Sequence, residues 1–457
     1  MAGPRTQPPR HRRASARQAV RRRPPPLGDP DELGLDDFDP AVRRRTLARL
    51  CTVGGWPATR EIVNLHCHTF YSYNAYGYSP THFAVLARRC GLAVAGIVDF
   101  DVLDGLDEFR AASRAVGLRA VVSLESRVFV PELADVVLNS PGEPGIAYHL
   151  GVGFPRAVDD PFLTLMRATS ARRVREMLAR VNAYLRPVEL DLEQDVLPRT
   201  PNGYVTERHL CEAFQQKAQL AFPDPGERRR FWREKLDGEP AEGVELQNLI
   251  RTRTLKKGGA GYVQPRASTF PAMADMNRFV VGAGGIPTLA WLDGTSEGER
   301  DCGRLLDVAE STGAAALNII PDRNFTPGLK DQKLHNLYEI VALAVSHGLP
   351  VVVGTEMNAP GNRFVDDFDA IELRPLLPAF LEGAHIVYAH SVLQRECGLG
   401  YLSGWAAATF TSTASKNRFF DAVGRRLEPE CEERLAEVPA DATPAEILAA
   451  LPRSDRR

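Results

Sequence analysis

The chain has 457 residues, 44% apolar and 25% charged, with a net charge of −2. That balance is ordinary for a folded protein and excludes a collagenous or wholly disordered one. No apolar run reaches the roughly 18 residues that a bilayer span needs, and residues 1–25 carry eight arginines without an acid, which leaves a mildly acidic body poorly suited to a large nucleic-acid footprint.

Residues 1–40 read as a disordered arm. It is rich in Arg, lacks the apolar stretch of a secretion signal, is broken at Pro24, Pro25 and Pro26, and ends in the acidic run Asp29–Asp39. Nucleic acid is a weak partner candidate for it. Order is expected from Ala41, with a short basic helix over Val42–Leu50 closed by Gly54 and Gly55. Alternation then begins: strand Glu61–His68, helix Pro80–Cys90, strand Val94–Asp99, helix Asp104–Val116, strands Arg119–Glu125 and Ala147–Phe154. The stretch 158–275 breaks this rhythm. It is polar and helical, with amphipathic spans over Ala171–Leu185 and Glu207–Phe222 and a glycine-rich loop at Lys256–Gly261. Strands resume at Ile286–Leu292, Ala314–Ile320, Pro350–Gly354 and His385–His390, with a helix over Lys333–His347.

Strands separated by helical spans predict βαβ units, and roughly eight such strands close most naturally into a parallel barrel. The expected division is arm (1–40), barrel (41–157), helical insertion (158–275), barrel (276–425) and C-terminal tail with a helix (426–457). Seven cysteines, an odd number without CxxC spacing, predict free thiols in a reducing, cytoplasmic compartment.

Ionisable residues fall at the expected strand ends. His66 and His68 are two apart on one strand and so share a face. Asp99, Glu125, His149 and Glu356 end or follow later strands, and charge at such positions is costly to bury without a purpose. Converging on a barrel mouth, two imidazoles and several carboxylates would suit zinc, manganese or iron. The aromatic stretch Phe70–Tyr78 is placed either to stack a base or sugar or to wall the mouth, and His390 is read as a core histidine rather than an additional ligand.

The ordered succession His66-Cys67-His68 with Ser72, Val98-Asp99-Phe100-Asp101, Leu124-Glu125, His149-Leu150-Gly151 and Gly354-Thr355-Glu356-Met357-Asn358 resembles the PHP (polymerase and histidinol phosphatase) family. Thr206 and His209 are similar to a further element of it. The resemblance implies an α/β fold, a distorted TIM-like barrel of about seven βα units, and a cluster of up to three metals that hydrolyses phosphoesters. It places His66, His68, Glu125 and Glu356 at one complete metal position, with Glu356 standing for a shorter Asp. A second position would share Glu125 and His149, but Trp291 stands where a histidine is usual, and Asp293 is the candidate replacement. The third is erased, since Asn74, Phe100 and Asn358 replace histidines. One or two ions are therefore expected. Asp99 is expected to fix a ligating imidazole from behind, and Arg208, His209, Arg323 and Arg363 are candidates for phosphate contact.

The function this predicts is metal-dependent hydrolysis of a phosphoester on a small phosphorylated or nucleotide-like substrate, with no membrane partner and with the insertion over the barrel mouth. The alternatives are a degenerate, non-catalytic binding or scaffold protein, and an amidohydrolase-like hydrolase of C–N bonds, although no strand-end lysine is suited to bridge two metals.

Overall fold

The computed structural model describes residues 32–238, 242–265, 269–326, 328–359 and 361–452. The basic arm to residue 31 lies outside the described residues. Residues 32–39, expected as the end of that arm, are packed on the body: Leu35 is fully buried, Asp36 contacts Ser79 and His82, and Asp39 caps the first helix. An acid that starts a helix or meets an imidazole is held, whatever its neighbours' composition suggests.

The first half runs α1 (Pro40–Val53), β1 (Val63–Cys67), α2 (Pro80–Cys90), β2 (Val94–Phe100), α3 (Leu106–Val116), β3 (Arg119–Phe129) and β4 (Ile146–Val152). Four helices then form the insertion: α4 (Pro161–Leu185), α5 (Glu207–Ala221), α6 (Pro225–Leu236) and α7 (Gly243–Ile250). The second half runs α8 (Met273–Gly282), β5 (Ile286–Trp291), α9 (Glu297–Arg300), α10 (Cys302–Ser311), β6 (Ala316–Ile319), α11 (Lys330–His347), β7 (Val351–Val353) and α12 (Leu377–Glu396). After it come α13 (Gly404–Thr409), α14 (Thr413–Arg426) and α15 (Pro444–Ala450). Among the described residues no helix is long and apolar enough to cross a membrane, and the seven cysteines are free.

The strands form one sheet in chain order, β1 to β7. They are buried along most of their length, as strands covered on both faces must be, with β1 and β3 interleaving polar residues among the apolar ones. The sheet almost closes: Thr355 and Glu356 donate their N–H groups to His66 O at 3.1 and 2.8 Å, and His68 N–H donates to Glu356 O at 2.8 Å. This seam needs Gly354, because a Cβ there would meet His66 N at 2.4 Å. The fold is thus an α/β, distorted TIM-like barrel.

Two expectations are corrected. The barrel is not all parallel, since β4 runs antiparallel to both β3 and β5. A parallel pair needs a long crossover, whereas residues 130–145 hold a short turn at Pro131–Leu133 and no α-helix. β3 also runs past Glu125 to pair Arg127 with Tyr148. The expected strand His385–His390 is the middle of α12, whose residues Gly383–Leu393 are all buried. A helix apolar on every side cannot be told from a buried strand by periodicity. It packs against β7, β1, β2 and β3, and Gly383 sits directly on the Val351 backbone at the start of β7, away from the mouth.

The insertion has its own apolar core, which includes Val181, Phe214, Trp232 and Ile250. α4 belongs to both cores: Leu163 and Met166 pack with the barrel, and Val174 to Leu185 pack with the insertion.

Candidate metal centre

His66 lies on β1 and His68 just beyond it, and both are buried. His66 Nδ1 is 3.0 Å from Asn318 Oδ1. The Asn318 amide is oriented by its NH2 group, which donates to Val352 O at 3.3 Å. Its oxygen can only accept, so the His66 proton sits on Nδ1 and Nε2 keeps a free lone pair. His68 reaches the same tautomer by another route. Its Nδ1 is 3.3 Å from Ser72 Oγ, whose hydroxyl donates to Asp99 Oδ1 at 2.6 Å. Asp99 also accepts from Thr69 N and Oγ1 at 2.8 and 2.7 Å. Burial pushes the Asp99 carboxyl up, against the pull of His68 and these donors.

Both Nε2 atoms are buried without a hydrogen-bond partner. They point at Glu125, whose Oε2 is 3.7 Å from His66 and 3.2 Å from His68. One ligating atom from each of the three lies within 4.8 Å of the others. Burial would raise the Glu125 carboxyl, but the two imidazoles beside it overcome that and hold the group down to about 2. This donor set, two imidazole nitrogens and one carboxylate, fits a divalent transition ion.

The other expected ligands are elsewhere or engaged. Glu356 is beside the triad, but Arg323 Nη2 donates to both its oxygens at 3.0 Å. Its backbone and that of Met357 are left-handed, with φ of 61° and 56°. His149 turns away from the cavity. Its Nε2 is 2.6 Å from Asn277 Oδ1 on α8, and burial pushes it down to about 4. Alternation along β4 puts its neighbour Tyr148 on the cavity side instead. Asp293 accepts from Lys333 Nζ at 2.8 Å and Thr295 Oγ1 at 2.5 Å. Trp291 is buried, and Asn74 holds its own loop by bonds to His68 O, Tyr76 N and Tyr78 N.

Of the expected phosphate contacts, Arg208 and Arg323 border the cavity and Arg363 is half-exposed beside Asp322. His209 is buried as a helix cap, its Nδ1 accepting from Thr206 N at 3.1 Å with its ring against Tyr73. His390, the core histidine, takes Tyr401 N–H on Nδ1 at 2.9 Å.

Of the triad, Glu125 lines a cavity of 780 Å³ between the barrel mouth and the insertion, with His66 and His68 buried behind it. Tyr204 of the insertion donates to Asp101 Oδ2 at 2.7 Å, and Ser126 donates to Asp101 Oδ1 at 2.6 Å. This ties the insertion to the rim. Arg127, Arg173, Arg251 and Lys256 also border the cavity. Arg127 was open to discovery, since it is two residues beyond Glu125 on one strand face. Tyr204 carried no signal, because it sits in an irregular segment.

One family description matches part of the chain, the sirohaem synthase dimerisation region, over residues 209–253 within the insertion. No curated protein matches the chain. Two solved structures are similar to it. One is an amidohydrolase from Chromobacterium violaceum, solved with bound sulfate and no metal, 19% identical over 70% of this chain and 96% of that one, with a TM-score of 0.48. The other, described as a metal-dependent phosphoesterase from Bifidobacterium adolescentis, is 20% identical over 71% of this chain and 97% of that one, also with a TM-score of 0.48.

Proposed function

We propose that the chain is a metal-dependent hydrolase of a phosphoester, with His66, His68 and Glu125 holding a zinc, manganese or iron ion. One observation carries this: two buried imidazole Nε2 atoms, both without a partner, converge on one carboxylate oxygen. Each unsatisfied buried acceptor costs about 1–3 kcal/mol, so two aimed at one point are expensive unless something binds there. When bound, a divalent ion supplies Lewis acidity toward a phosphoryl oxygen and lowers the pKa of water. The protein's part is positional. Asn318 and the Ser72–Asp99 pair fix the two tautomers, and the insertion helps enclose a ligand-sized space that Glu125 lines.

A panel of phosphomonoesters and phosphodiesters, run with added manganese, zinc or iron, tests the reading. Wild type is expected to hydrolyse at least one class, and His66→Ala none. Turnover of amides instead would move the assignment to C–N hydrolysis. A second reading, binding without catalysis, is favoured by the engagement of Glu356 with Arg323 and of His149 with Asn277, which leaves three donors at the triad. Wild type no faster than His66→Ala on every substrate, with metal still bound, would select it.

A further inference from the structure

The cavity holds a second cluster that the metal centre does not use. Arg127 is two residues beyond Glu125 on β3 and on the same face, so the strand sets it roughly 7 Å along. The insertion adds Arg173 on α4, Arg251 just after α7, and Lys256 in the following loop. Two carboxylates meet these four cations within ion-pair distance. Glu143 is 3.2 Å from Arg127 Nη1 and 3.9 Å from Arg173 Nη2, and Glu207 is 2.9 Å from Arg251 and 2.8 Å from Lys256. Asp101, which Arg127 also feels, is already held by Ser126 and Tyr204. With Asp101 counted, four cations face three carboxylates, an excess of one positive charge.

Arg173 is the decisive member. Its side chain is 8% exposed, and its buried Nε has no hydrogen-bond partner. Its Nη1 donates to Val263 O. Burial and the neighbouring Arg127 both depress its pKa. Arg127 is itself fixed, with its guanidinium 4.3 Å from the ring centre of Phe270. Both guanidiniums border the cavity and share the single carboxylate of Glu143, and the N–H of Arg173 Nε is left unspent. A guanidinium's planar fork of donors matches phosphate and carboxylate.

We infer that Arg127 and Arg173, backed by Arg251 and Lys256, form a second anion subsite, and that the substrate carries two anionic groups, one at the triad and a phosphate-like one here. The role in substrate choice rests on the metal-hydrolase reading; the subsite itself does not. The cavity volume of 780 Å³ leaves room for a body joining the two groups.

The test titrates inorganic phosphate into full-length protein stripped of metal by a chelator, using calorimetry on wild type, Arg173→Gln, Lys256→Gln and His66→Ala. Wild type is expected to bind phosphate, more weakly as salt rises. Affinity should fall about tenfold or more in Arg173→Gln and about threefold in Lys256→Gln, in line with one lost charged hydrogen bond and one lost partly exposed charge. It should be unchanged in His66→Ala, which separates this subsite from the triad whether or not the triad binds metal. No binding by stripped wild type at millimolar phosphate would overturn the inference, as would loss in His66→Ala with retention in Arg173→Gln. Should Arg173→Gln fail to fold, Lys256→Gln decides, because that side chain is 38% exposed; unchanged affinity there would overturn the subsite.

Discussion

Phe100 lies flat on the imidazole of His68, with ring centroids 4.4 Å apart and planes inclined by 20°. The contact seals one face of a candidate ligand with hydrocarbon. It also fills the place where the PHP resemblance would put a histidine for a further ion, so the space beside His68 offers no donor on that side.

From this we expect about one tightly bound transition ion per chain after reconstitution with zinc, manganese or iron. Elemental analysis checks it. No metal under any of the three would remove the basis for the centre, and three per chain would contradict the role of Phe100.

Asp99 and Ser72 act on the centre only through His68. Asp99→Asn and Ser72→Ala are each expected to weaken metal binding about 10- to 100-fold, the usual effect of losing a partner behind a ligating histidine. Competition against a graded series of chelators measures it. Equal affinity in both variants would mean that the His68 tautomer is set by other contacts.

Glu356→Gln separates two roles for that carboxylate. If its main work is to neutralise Arg323, the variant should lose about 1–2 kcal/mol of stability, a buried-pair cost reduced by the exposure of Arg323. It should lose less metal affinity than His66→Ala. A melting curve and metal content, taken together, decide. Loss of metal equal to that of His66→Ala would make Glu356 a ligand after all.

Acid should weaken the fold in two stages. Burial presses His149 and His390 down to about 4 and His209 to about 3, from an ordinary 6.5. As pH falls through that window the unfolded chain takes up protons that the folded chain refuses, so stability drops. Glu125, held down to about 2 from 4.5, contributes stability that is present above its unfolded value and lost as pH falls toward 2. Urea midpoints should therefore decline from pH 7 to 4, and His390→Gln should make that decline shallower. A slope unchanged by His390→Gln would show that it does not titrate in this range.

Gly354→Ala tests the seam. A methyl group would meet His66 N at 2.4 Å and His66 Cβ at 2.6 Å, so β7 and β1 would have to part. A loss of about 3 kcal/mol is expected, at the upper end for overpacking, with weaker metal binding alongside. Calorimetric unfolding that matches wild type would mean that the seam relaxes freely.

The triad was legible because each member follows a strand rule. His66 and His68 share a face through two-residue alternation, and Glu125 lies where β3 meets the end of β2, paired with Phe100. His149 was misplaced by the same rule applied to a strand of unknown register: Tyr148 pairs with Arg127 and shares its face, which leaves His149 on the other. Arg323 could not be read as Glu356's partner, since 33 residues separate them and Arg323 sits on the short turn Pro321–Phe325, which follows no periodic pattern. α12 hid as a strand because its burial leaves no polar side to betray the helix.

α4 is one unbroken helix of 25 residues, with its only proline at the first position and no glycine. At 1.5 Å per residue it is about 37 Å long. Its first turns are rooted in the barrel and the rest is rooted in the insertion, so it works as a strut, and nothing along it offers a joint. Tyr204 pins the roof a second time at the rim. A substrate would therefore meet a chamber of constant height, and length and shape would be selected by passage through its sides rather than by a roof that lifts.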